Sequence, residues 1–338
     1  MKNPTFQDFI SQGSEIQALQ TQIRNGRMVH AILITGENGR GKKTLARLVA
    51  ASLLCRSEGG QPCGVCNGCR RAFDNEHPDM IVIEKGAPIT TESRKSRATI
   101  PIDDIREMIR LCSSYPLEGG NRVVLIFNAD DMTPQAQNCL LKILEEPPAD
   151  TYFILTSSHP EKLLVTVRSR CRALKMRPWD EDQIIRILTD EGIEAEKARL
   201  AAGSSRGSVG YAKQLAADED YWRMREETIR TFFGETERSR ILTISSRWKE
   251  NKTDADKLFD ILEECVRIML QYRMDRKDTA GLEIFSDKWK RFAEEADYQR
   301  FTSLLNRIFE ARKQFTSNVS IQAIVEQMLL GFMGEIEK

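Results

Sequence analysis

Two groups of residues in this chain have the types and spacing of chemistry. The first is Gly36 to Thr44, Gly-Glu-Asn-Gly-Arg-Gly-Lys-Lys-Thr, which nearly meets the phosphate-loop pattern G-x-x-x-x-G-K-[S/T]. Gly36, Gly41 and Lys42 fall where backbone N–H groups would cradle phosphates and a lysine would reach them. The hydroxyl that ligates Mg²⁺ belongs at position 43, which is Lys43 here. An ammonium held there opposes a divalent cation, and Thr44 is turned about 100° round the helix from the required direction. The pattern keeps the loop and loses the metal contact. The second group is Cys55, Cys63, Cys66 and Cys69, spaced C-x7-C-x2-C-x2-C with Gly and Pro between them to allow tight turns. Four thiolates so spaced match a closed tetrahedral zinc site with no open position for catalysis. An iron–sulfur cluster shares that ligation, and disulfides are disfavoured in a cytosolic chain.

The elements that would hold these groups can be read around them. Ala31 to Thr35 is a short apolar run suited to a buried parallel strand, and Leu45, Leu48, Val49 and Leu53 follow the loop at helical spacing. Strand, loop and helix in succession are what a phosphate loop requires. Further apolar runs at 80–83, 123–127 and 152–155 alternate with helical periods, predicting an α/β layout with a largely parallel sheet. Asp103 opens one such helix, with Ile105, Met108 and Ile109 inward, and 134–146 forms another, stopped by Pro147 and Pro148. None of the eleven prolines lies beyond Pro178. An interior proline costs a helix about 3 kcal/mol, so a proline-free tract with apolar spacing of three and four predicts helices throughout. Leu258, Leu262, Cys265, Val266, Met269 and Leu270 give one stripe, and Ile321, Ile324, Val325, Met328 and Leu329 another.

The strand at 123–127 should end in Asp-Glu if the chain hydrolysed nucleotide, the Asp holding Mg²⁺ and the Glu polarising water. Phe127 and Asn128 occupy those places, and Asp130 and Asp131 come two residues late, opening the next turn. A second Mg²⁺ contact is therefore missing. Thr156-Ser157-Ser158, at the end of the following strand, offers a hydroxyl that could sense a γ-phosphate. Arg168-Ser169-Arg170-Cys171-Arg172 then concentrates positive charge, with no acidic residue between Glu161 and Asp180.

At 338 residues the chain exceeds one ordinary core, so two or three domains are expected. Fifty basic and fifty acidic side chains cancel, which argues against a free-standing nucleic-acid binder. No stretch approaches the ~18 uninterrupted apolar residues of a membrane span, and the first residues lack a signal-peptide core, so a cytoplasmic protein is expected. Cys112, Cys139, Cys171 and Cys265 have no metal spacing and read as small buried residues. His30, His77 and His159 are scattered and read as structural or surface groups. The stretch 86–101 reads as an exposed polar loop whose Arg94, Lys95 and Arg97 could meet phosphate.

Ala-Gln-Asn-Cys-Leu-Leu-Lys-Ile-Leu-Glu-Glu-Pro-Pro at 136–148 and Leu-Leu-Val-Thr-Val-Arg-Ser-Arg-Cys at 163–171 resemble the clamp-loader branch of the AAA+ ATPases. With His30-Ala31, the loop and the cysteine module, the likeness covers about 15 to 178. Motor subunits of the bacterial loader share the zinc module and the Ser-Arg-Cys, but keep a Thr after the loop lysine and an Asp-Glu on the strand. This chain has neither, so the resemblance implies a non-motor subunit.

What the resemblance implies is an AAA+ three-layer α/β domain at 1–177 with the zinc module at 55–69, a small helical lid at 178–213, and a helical collar at 214–338 through which five subunits form an open hetero-oligomeric ring. Its implied partners are the gamma or tau motors and delta, with the sliding clamp and primed DNA reached through the complex. Structural zinc on the four cysteines is the implied cofactor. ATP or ADP would bind weakly or not at all at a vestigial site of Gly36, Gly39, Gly41, Lys42, Thr44 and Arg206, the last from the lid motif Gly203-Ser204-Ser205-Arg206. Arg170 is the implied arginine finger, acting on a neighbouring subunit. Two other readings remain open at this point: an ATP-hydrolysing loader motor, and a zinc-dependent nucleic-acid-binding module.

Overall fold

The computed structural model describes residues 3–57, 62–87, 98–118, 120–234, 237–246, 255–274, 282–317 and 319–337. Arg94, Lys95 and Arg97 lie outside the described residues. The chain divides into two compact units, Met1–Lys213 and Gln214–Lys338.

The first unit runs α1 (Ser14–Arg24), β1 (Ala31–Thr35), α2 (Lys42–Leu54), α3 (Asn67–Phe73), β2 (Met80–Ile83), α4 (Ile102–Cys112), β3 (Arg122–Ile126), α5 (Pro134–Glu145), β4 (Thr151–Ser157), α6 (Val165–Arg168) and β5 (Arg172–Lys175). Three helices follow: α7 (Glu181–Asp190), α8 (Ala195–Ser204) and α9 (Val209–Ala217), of which the residues through Lys213 belong to this unit. The strands pair in parallel in the order β2-β3-β4-β1-β5. Parallel strands joined by helices bury both faces, which is why β1, β3 and β4 are apolar almost without alternation. Leu33, Val124, Ile126, Phe153 and Leu155 pack with Ile105 and Met108 of α4 and Leu140 and Leu144 of α5 in one continuous core. β1 lies between β4 and β5, so the loop after it opens at the carboxyl edge of the sheet beside the ends of both neighbours. That edge is where open α/β sheets bind ligands.

In the second unit every described element is helical: α10 (Glu219–Phe232), α11 (Ile241–Ser246), α12 (Ala255–Met274), α13 (Asp287–Glu295), α14 (Tyr298–Thr316) and α15 (Ile321–Ile336), with short 3-10 turns between. Leu258, Leu262, Cys265, Val266 and Met269 on α12 and Ile321, Ile324, Val325, Met328 and Leu329 on α15 are all buried, so the two stripes are core faces. Phe233 meets Trp289 and Phe332 edge to face, its ring centre 5.0 Å from that of Trp289. No helix among the described residues is long and apolar enough to cross a membrane.

Candidate functional site

The glycine loop sits between the end of β1 and the start of α2. Gly41 caps α2 in the left-handed conformation without a side-chain hydrogen bond. Lys42 is buried, and its Nζ donates to the carbonyls of Gly36 (2.7 Å) and Glu37 (2.8 Å) and to Ser158 Oγ (2.8 Å), which donates in turn to Asn38 Oδ1 (2.6 Å). Burial lowers its pKa to about 8, with Asp130 opposing that shift. Ser158, one of the three hydroxyls at the end of β4 that could sense a γ-phosphate, is thus engaged by the loop itself. The start of α9 closes over the loop: the Gly210 N–H donates to Gly39 O (2.8 Å), and Ser208 Oγ donates to Asn38 O (3.1 Å). Gly39 is required here, since its φ is +76° and a Cβ would stand 2.2 Å from Ser208 Oγ. A cavity of about 380 Å³ remains beside the loop, lined by Asn38, Lys42, Lys43, Thr44, Asn128 and Lys213 among others.

Lys43 has a fixed partner. Its ammonium donates to the carboxylate of Glu84, the residue following β2, and lies 5.4 Å from the centre of the Phe127 ring. Arg47 stands over the same ring at 5.2 Å. Phe127 is completely buried and Asn128 leaves the strand at φ 49°. Asp130 and Asp131 form the short turn expected of them. Asp130 accepts from the Ser158 N–H (3.2 Å), and Asp131 lies 4.0 Å from the Lys85 ammonium. The positions that would carry Mg²⁺ chemistry hold a paired cation and an aromatic ring.

The four cysteines converge at the end of α2. Their Sγ atoms all lie within 4.8 Å of one another, Cys63 and Cys69 at 3.9 Å. A tetrahedron of thiolates around zinc, with bonds of about 2.3 Å, has edges of about 3.8 Å, so the set is near the size such an ion requires. Backbone N–H groups of Cys63, Cys66 and Cys69 donate to the sulfurs of Cys55 (3.5 Å), Cys63 (3.3 Å) and Cys66 (3.4 Å) in turn, which favours thiolates. Gly68 allows the approach of α3 to α2, since a Cβ there would meet Leu54 O at 2.7 Å. The cluster could hold a metal ion.

Arg170 follows α6 and is half-buried. Its Nη1 donates to Thr166 O (2.9 Å), its Nη2 to the Glu145 carboxylate, and its Nε is buried without a partner. Arg172 is tied to Gln22. Arg206 lies in the turn between α8 and α9 with φ 52°, exposed, and is not among the residues lining the cavity by the loop. The start of α9 contributes Val209, Gly210 and Lys213 to that lining instead. Of the remaining candidates, Cys112, Cys171 and Cys265 are buried, and Cys139 is half-buried. His77 is buried, accepting from the Asp79 N–H at Nδ1 (3.1 Å), with burial holding its pKa down.

Residues 11–180 match the family described as "DNA polymerase III, delta subunit". The chain is 28% identical over 320 residues to the delta' subunit of DNA polymerase III from Bacillus subtilis, covering 93% of this chain and 94% of that one. Against the delta' subunit of Escherichia coli it is 36% identical over 214 residues, 63% of this chain and 61% of the relative. The chain belongs to the DNA polymerase III delta-prime family. The tau subunit of E. coli is 33% identical over 227 residues, 64% of this chain but 34% of tau. The delta-prime family is therefore homologous to tau within a shared region, whereas the likeness to the B. subtilis delta' extends through nearly the whole chain.

For a delta-prime protein, three contacts at the loop and at Arg170 were missed by sequence reasoning. Glu84, which neutralises Lys43, follows a strand that runs at the far edge of the sheet, and no local pattern links it to the loop. The run Gly207-Ser208-Val209-Gly210 did carry a signal, because clustered small residues mark a close approach of backbones. Glu145 was visible only as part of a motif, and its contact with Arg170 spans 25 residues.

Proposed function

We propose that this chain is the non-motor subunit of a bacterial clamp loader, assembling with gamma or tau motors and with delta into a five-membered ring that places the sliding clamp on primed DNA in the cytoplasm. The observation that carries the reading is Lys43 paired with Glu84 over a buried Phe127, where a motor would hold Mg²⁺. Without that ion the loop of Gly36, Gly39, Gly41, Lys42 and Thr44, with Arg206 on the lid, binds nucleotide weakly at most and does not turn it over. Arg170 then serves the nucleotide site of an adjoining motor, where a planar, permanently charged guanidinium stabilises charge spread over the transferring phosphoryl oxygens. The four cysteines hold a structural zinc ion, which would tie the end of α2 to α3 and take no part in the ATP chemistry. Residues 1–177 would be the nucleotide-binding-like domain, 178–213 the lid and 214–338 the collar.

The experiment is reconstitution. Mixed with the motor and delta subunits of its own organism, the chain should elute in a single complex by size-exclusion chromatography with light scattering. That complex should load clamps, and a mixture lacking the chain should not. Loading at the normal rate without it would overturn the proposal.

A further inference from the structure

The surroundings of Arg170 hold more than a cation at the surface. A guanidinium has five N–H donors in a rigid fork. In Arg170 the Nε–H is turned inward, one Nη1 hydrogen goes to Thr166 O, and one Nη2 hydrogen goes to Glu145. That leaves one hydrogen on each terminal nitrogen, a pair suited to two oxygens of a phosphoryl group. The arginine is thus held in place by groups of its own chain with a hydrogen on each terminal nitrogen to spare.

Glu145 sits where a carboxylate gains little from its own helix. It is the last residue of α5, where the helix dipole disfavours a negative charge, and Glu146 beside it adds a second. Its pair with Arg170 is a partly exposed one, with side chains 33% and 49% exposed, and such pairs add little to stability. What the pair does supply is a fixed direction. Ser169 Oγ donates to the same Thr166 carbonyl (3.1 Å), so the turn carrying Arg170 is braced on its other side as well.

We infer that Glu145 is a positioning residue for Arg170, holding the guanidinium so that its remaining N–H donors meet a phosphoryl group presented by the next subunit. The inference rests on the trans-acting role proposed above. Held in this way, the arginine needs no search among rotamers when the neighbouring nucleotide arrives, which is the gain from a preorganised group. Glutamine keeps the acceptor and alanine does not.

The test is ATP turnover by the fully assembled loader, stimulated by DNA and clamp, with this chain varied alone. Glu145→Ala should lower turnover at the adjoining site about threefold to tenfold, less than the roughly hundredfold that an ångström of misplacement can cost at a single site, so that kcat of the whole loader falls by less than with Arg170→Ala, and leave KM for ATP unchanged. Glu145→Gln should recover most of the loss. In the double variant with Arg170→Ala, removing Glu145 should cause no loss beyond that of Arg170→Ala. Glu145→Lys, which repels the guanidinium, should reproduce the alanine result and serves if the alanine variant does not assemble. Normal turnover with Arg170→Ala would overturn the trans-acting role itself. A loss with Arg170→Ala but none with Glu145→Ala and Glu145→Lys, or losses that multiply in the double variant, would overturn the positioning role alone.

Discussion

Loaders assembled with Arg170→Ala are expected to hydrolyse ATP more slowly under stimulation by DNA and clamp, and to load clamps more slowly, with fold, metal content and subunit composition unchanged. The expectation comes from joining two features of one chain. Its own site has a paired lysine on the loop and a phenylalanine after β3 where Mg²⁺ chemistry would be, so a γ-phosphate bound there would not be transferred. Yet Arg170 is held by Thr166 and Glu145 with donors to spare, as an arginine serving a phosphate on another subunit would be. A fully engaged arginine finger contributes roughly 10³–10⁵ in rate. The adjoining site should lose most of that factor, and the ring as a whole loses less if its other sites fire independently. Stability should barely change, because the side chain is part-exposed and Glu145 is open to water once freed. Steady-state turnover and single-turnover clamp loading are the measurements, and a normal rate in both would leave Arg170 a surface charge.

Cys66→Ser should remove the metal and spare the helix cap. Cys66 has two duties: it is one of the four converging thiols, and as N-cap of α3 its sulfur accepts from the Cys69 N–H. Serine is a good N-cap and a poor zinc ligand, so the substitution separates the two. Zinc folds isolated finger peptides with roughly 10–16 kcal/mol near neutral pH. The cost here should be smaller, on the order of a few kcal/mol, because Cys69 and Ala72 also bury α3 against the rest of its unit. Plasma emission should find about one equivalent of zinc in the wild type and well under one in the variant. A full equivalent in Cys66→Ser would sink the four-ligand assignment. Acid should release the metal as well, since the ligands bind as thiolates and protons compete for them.

How much was legible in the sequence depended on whether the deciding contact was local. The strand at 80–83 and the helix opened by Asp103 were readable from apolar period and acidic first turn, and both occur. β4 runs further than expected, from Thr151 to Ser157, because its polar ends pair with β3 and β1 and need no apolar side chain to do so. β5 was missed altogether. It is an edge strand, Arg-Ala-Leu-Lys, with only Leu174 buried, so its charged residues read as a surface stretch and its pairing with β1 left no periodic trace. The cysteine module was legible because four thiols within a short stretch can satisfy only a few geometries. At the phosphate loop the sequence showed which residues were wrong for Mg²⁺, but Glu84 and Gly210 reach the loop through the tertiary fold. The same is true of Arg170: its motif named it, and the carboxylate that orients it lies on another helix.

The central claim is that this chain's own nucleotide site is not a working one, and calorimetric titration of ATP into the isolated chain, with and without Mg²⁺, tests it most directly. With the Lys43 ammonium paired to Glu84 and the Lys42 ammonium already sharing three acceptors, binding should be weak and no stronger when Mg²⁺ is present. Sub-micromolar affinity that depends on Mg²⁺ would contradict the account, because it would mean that Lys43 and Phe127 do not keep the metal out.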